Sequence, residues 1–106
     1  MLNLSLAAQW FLHAANLGLP DSQFNLAVLY ERGFGVQQSL VEAYKWYAIA
    51  AAQGDAESRT RMETIASQLS AEEKEKAEKS VAAFQPAPLD RGANAPPIAA
   101  SLIGAG

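Results

Sequence analysis

Leu4, Ala7, Trp10 and Gly18 recur as Leu40, Ala43, Trp46 and Gly54, each displaced by 36 residues. A constant period of that length is the mark of helical solenoids. In these, one supersecondary unit cannot bury its apolar face alone and must stack on the next. The repeated small residues predict close approach of helices, and the large aromatics beside them fill the space between. Trp10 and Trp46, at matched positions, are expected to share one packing role in the core.

The clearest statement of the period is residues 33–54, which read as a loop, a helix and a stop. Gly33 and Gly35 stand where the chain must turn after a helix, and glycine reaches positive φ without steric cost. Ser39 is the expected N-cap. Ala43, Trp46, Tyr47 and Ala50 fall at i, i+3, i+4 and i+7, one stripe of a helix. Gly54 ends it, as Gly18 ends the earlier copy, and Asp55 is placed to cap the next helix.

Through Asp21–Tyr30, then Gly33-Phe34-Gly35-Val36, then Ala43-Tyr44-Lys45-Trp46-Tyr47 and Ala50-Ala51-Ala52-Gln53-Gly54, the chain resembles the Sel1-like repeat family. The likeness covers roughly residues 3–66 and includes the structural positions Trp10, Gly18, Tyr30, Gly33, Gly35, Ala43, Trp46, Ala50 and Gly54. It departs at Leu19-Pro20, where a capping Asp or Asn followed by Ala is usual, and at Gln38, where Asp is common. The resemblance implies an all-α fold: an α/α solenoid of antiparallel helix pairs, similar to tetratricopeptide repeats. It further implies a protein-interaction module, a scaffold or adaptor without catalysis. The wording from Val41 to Ala56, with the Glu-rich helix and Phe-x-Pro end beyond it, is also similar to the repeat end of bacterial polar-organelle development (PodJ-type) localization factors. That likeness implies an envelope or polar-localization role.

Taken in order, the first helix is expected over residues 4–17 with Asn3 as N-cap, and the second from Pro20 to about Arg32. The third covers residues 40–53. The fourth starts near Ala56 and carries Met62, Ile65, Ala66 and Leu69 on one face. Ser70-Ala71-Glu72-Glu73 is a capping box. It opens a helix to about Phe84 in which Glu72/Lys76 and Glu75/Lys79 are i, i+4 pairs, worth about 0.3 kcal/mol each. Thin in apolar residues before Val81 and Phe84, this helix reads as a C-terminal cap with one side in water. From Gln85, four prolines within twelve residues among Ala and Gly predict a disordered tail or linker to Gly106. Ile98 to Ile103 is a short apolar patch within it. The domain reading is therefore repeats over 1–69, a capping helix over 70–84 and a tail over 85–106. Under two full units is short for a solenoid, so the chain is expected to be the C-terminal end of a longer array or a short relic of one.

A net charge of −3 does not suit nucleic acid, which selects a basic stripe. With no cysteine there is no disulfide frame and no thiolate site. No apolar run is long enough to span a bilayer, so no membrane insertion by this segment is expected. The compartment is expected to be periplasmic if the segment belongs to a longer membrane-anchored protein, and cytoplasmic otherwise. His13 is the single histidine and lacks partners at ligand spacing, so no metal or other cofactor is expected. His13, Ser22 and Asp21 have triad residue types but no nucleophile elbow, and Gly33-Phe34-Gly35 lacks the Lys-Ser/Thr of a phosphate loop. No catalytic residue is expected.

In solenoids the inner helices usually line the concave, partner-binding side. Gln9, Glu42, Tyr44 and Lys45 are therefore the candidate contacts for a protein or peptide partner. Tyr44 aligns with Ala8 and lies on a different face from Trp46. Self-association is a further expectation. A structural end cap without a binding surface is the alternative, and an envelope enzyme acting on glycan or β-lactam is a third reading of a different class.

Overall fold

The structure, a computed structural model, describes residues 3–87. Five helices succeed one another: α1 (Leu4–Asn16), α2 (Pro20–Arg32), α3 (Leu40–Ala52), α4 (Ala56–Ala66) and α5 (Ala71–Ala83). Among the described residues the fold is all-α, a solenoid of helix pairs. Four of the five starts have a local cause. The Asn3 side chain accepts from the Leu6 N–H, and Ser39 from the Glu42 N–H at 3.1 Å. Ser70 and Glu73 make both bonds of the capping box. Pro20 occupies the first turn of α2, where its missing N–H costs nothing.

Three expected details change. The Asp55 carboxylate does not cap the α4 backbone but accepts from the Ser58 hydroxyl, which is fully buried. A buried hydroxyl needs an acceptor more than an exposed N–H does. Leu69 lies beyond α4, which ends at Ala66, yet still packs on the core from the turn after it. On α5, Glu75 and Lys79 pair at 3.1 Å, whereas Glu72 and Lys76 form no ion pair. Both sites are exposed, so neither outcome weighs much on stability.

The core is centred on α3. It packs on α2, α4 and α5, most extensively on α2, and its Ala43, Tyr44, Trp46, Tyr47, Ile49, Ala50 and Ala51 are all buried. Helix α1 packs chiefly on α2. The matched tryptophans therefore differ: Trp46 is 2% exposed, while Trp10 is only half-buried. Their matched positions predict equivalence, but α3 has neighbours on three sides and α1 does not.

Buried polar groups tie the helices together. The Gln23 amide donates to the Ala15 carbonyl at 3.0 Å and accepts from the Gln53 amide at 2.8 Å, linking α1, α2 and the end of α3. The Tyr47 hydroxyl donates to Glu31 at 2.7 Å. Arg61 of α4 approaches Glu31 at 3.9 Å and lies over the Phe24 ring.

Burial first, and then the bond to Glu31, push the Tyr47 hydroxyl well above its ordinary pKa; Tyr30 and Tyr44 are raised as well, chiefly by burial. The folded chain then holds phenol protons that the unfolded chain releases. The resulting stability is complete below pH about 10 and is lost as pH rises beyond it. Thermal melts should show Tm falling from about pH 10 upward, and Tyr47→Phe should remove the largest share of that slope. Equal slopes in the two proteins would refute this cause.

Residues 85–87, expected to begin the free tail, instead fold back on α1. The Ala87 N–H donates to the Asn16 carbonyl at 2.6 Å, and Pro86 rests against Gly18. A helix end leaves its last carbonyls without intrahelical partners, and Asn16 acquires one here. The rest of the expected tail, with the Ile98 to Ile103 patch, lies outside the described residues.

Candidate functional site

One cavity of about 200 Å³ opens between α1 and α2. Ser5, Ala8, Gln9 and Leu12 of α1 form one wall at i, i+3, i+4 and i+7. Leu26 and Tyr30 come from α2, and Gly35 and Val36 from the loop that leads to α3. Its floor is apolar, formed by the buried Ala8 and Leu26. Its rim carries Leu12, one of the large apolar side chains left exposed, at 39%.

The loop reaches this place because Gly35 presses on the first turn of α1. A Cβ at Gly35 would overlap the Leu4 carbonyl and stand 2.9 Å from the Ser5 nitrogen. The Ser39 N–H donates to the Tyr30 carbonyl at 2.9 Å, and the Gln38 amide donates to the Glu31 carbonyl at 2.8 Å, which fixes the rest of the connection. The Tyr30 hydroxyl has its pKa raised first by burial and then by the negative charge of Glu42.

The structure places Gln9 beside Tyr30 in the cavity wall, while Glu42, half-buried on α3, is not among the residues that line it. Tyr44 does not line it either. Tyr44, expected from the sequence to be a partner contact, is buried at 6% exposure beneath α5, with its hydroxyl at Glu78. The reason is that α5 packs along α3 and covers it. Lys45 is half-buried and turns its ammonium over the Trp46 ring, 4.6 Å from the centroid. Leu12, absent from the expected contacts, is the added member. Its place one turn beyond Ala8 on the Ser5–Ala8 stripe was the available signal.

A second recess, of about 260 Å³, is lined by Asp21, Phe24, Asn25, Asp55 and Glu57. Its groups are largely occupied within the chain: Asp55 by Ser58, Glu57 by Arg61 at 3.8 Å, and the Phe24 ring by Arg61. Among the described residues no three His, Cys, Asp or Glu side chains gather as a metal site, and no helix is long and apolar enough to cross a membrane. His13 is half-buried in the last turn of α1. One polar atom stands apart. The Trp46 indole N–H is buried without an acceptor among the described residues, a state that costs about 1–3 kcal/mol.

Comparison with known proteins finds partial relatives. The chain is 49% identical over 49 residues to the chitin synthase regulator SKT5 of Saccharomyces cerevisiae, a match covering 46% of this chain and 7% of that protein. It is 41% identical over 59 residues to DAP3-binding cell death enhancer 1 of Rattus norvegicus and of Mus musculus, covering 56% of this chain and 12% of each. The chain therefore spans only a small part of these relatives. No solved structure matches it significantly. The family model described as Sel1 repeat matches twice, over residues 2–19 and 20–55. The second match makes α2 and α3 one unit, the pair most extensively packed, and leaves α1 as the second helix of the unit before it. This corrects the pairing of α1 with α2 that the order of helices suggests. Sel1 repeats generally mediate protein–protein interaction. The two matches together take in half of the sequence, and the chain belongs to the Sel1 repeat family.

Proposed function

We propose that this chain is a protein-binding module, and that its partner contacts the α1–α2 cavity through Leu12, Gln9 and Glu42, with Lys45 on the neighbouring helix. The carrying observation is the exposed Leu12 at the rim of a cavity with an apolar floor. A partner side chain that covers it removes apolar surface from water, while Gln9 and Glu42 supply direction. The relatives are named as a regulator and as DAP3-binding proteins, which supports an adaptor role rather than an enzyme. In this reading residues 1–69 carry the repeats and residues 70–84 the cap. The bacterial polar-localization role draws on the wording after Val41, and relatives from yeast and rodents lend it no support.

The test is site-specific photo-cross-linking in cells, with the photoreactive residue at Gln9 or, as a control, at Glu72 on α5. Gln9 should label one defined protein that Glu72 does not, and Leu12→Glu should abolish the product while leaving the melt unchanged. Equal labelling from both positions would support the end-cap reading instead.

A further inference from the structure

Residues 84–87 touch the rest of the fold as an extended ligand would. Phe84 leaves α5 in an extended conformation and sets its ring edge-on to Trp46, with centroids 5.5 Å apart and planes at 78°. Pro86 lies against Gly18, close enough that a Cβ there would meet the proline ring at 3.3 Å. The Ala87 N–H then closes on the Asn16 carbonyl at the end of α1. An aromatic anchor, a proline on a glycine and one backbone bond form a peptide-like footprint, and no ion pair among the described residues reinforces it. The footprint is also imperfect, because the Trp46 N–H finds no acceptor in it.

We propose that Trp46, with Asn16 and Gly18, forms a docking site for an extended protein segment of the pattern aromatic–x–Pro, and that residues 84–87 are its occupant in cis, displaced by such a segment of a partner. Glycine at position 18 leaves room for the proline ring. The Asn16 carbonyl, an orphan acceptor at the helix end, takes the backbone N–H of the residue after the proline. A partner segment that also sets a carbonyl on the Trp46 N–H makes one bond the internal occupant does not. The site rests on the reading of the chain as an interaction module. It does not depend on the cavity beside Leu12, whose lining includes none of Asn16, Gly18 and Trp46.

The test uses the full chain with Trp10→Phe, so that Trp46 is the sole tryptophan, and a fluorescein-labelled peptide of residues 81–87. Phe84→Ala empties the anchor, and Ala87→Pro replaces the N–H that bonds Asn16 with a ring methylene that the Asn16 carbonyl cannot accept. Each variant should bind the peptide at least tenfold more tightly than the parent, with a shift in Trp46 emission. A peptide with Ala in place of its Phe should not bind. If Phe84→Ala fails to fold, Ala87→Pro carries the test alone. Failure of Ala87→Pro to bind, or binding equal to the parent, overturns the proposal. Peptide exchange without a Gln9 cross-link would sink only the cavity reading, and the converse would sink only this one.

Discussion

Gly35→Ala should lower stability by about 3 kcal/mol or more and erase the α1–α2 cavity. Two costs add. Gly35 has φ +75°, a conformation strained for any residue with a Cβ. The new Cβ would also overlap the Leu4 carbonyl and crowd the Ser5 nitrogen, and these are backbone atoms that cannot rotate away. Either the loop lifts or the first turn of α1 unwinds, and both remove Gly35 and Val36 from the cavity wall. Gly54→Ala is the control: its φ is +102°, but nothing stands within 4 Å of the added Cβ. It should cost about 1–2 kcal/mol, from the backbone strain alone. Urea denaturation of the two variants separates the effects, and equal losses would show that contact with Leu4 is unimportant.

Trp46→Ala should cost about 3–5 kcal/mol, enough to unfold a domain of this size. Trp10→Ala, at the matched position of the repeat, should cost about half as much, because a partly exposed ring loses less buried area. The reason lies outside the repeated residues. Trp46 is enclosed by the helices around α3 and by Phe84, whereas α1 packs chiefly on α2. Equal destabilisation in chemical melts would restore the view that the repeat alone sets the packing.

Much of the candidate surface is legible in the sequence for the same kind of reason. Gln9 stands out on a helix face and lines the cavity, whereas Glu42 reaches it only through its charge on Tyr30. Tyr44 joins them on sequence because its face differs from that of Trp46. That inference fails once α5 crosses to α3, an event no helical wheel of α3 records. Gln23, fully buried, carries no signal in the sequence beyond being a polar residue on α2. Its role depends on the Ala15 carbonyl and the Gln53 amide, 30 residues apart from it in the latter case.

By itself the sequence determined the elements and their punctuation: apolar stripes at helical spacing, side-chain caps at Asn3, Ser39 and Ser70, proline at the start of α2, and glycines at the turns. Those signals act within one or two helical turns, where the atoms that decide are neighbours in the chain. Only the tertiary structure decided which of two equivalent tryptophans is enclosed, that Tyr44 is covered, and that residues 84–87 return to α1. Burial depends on what packs from elsewhere, and a repeat that writes the same residues twice cannot specify the different neighbours each copy receives.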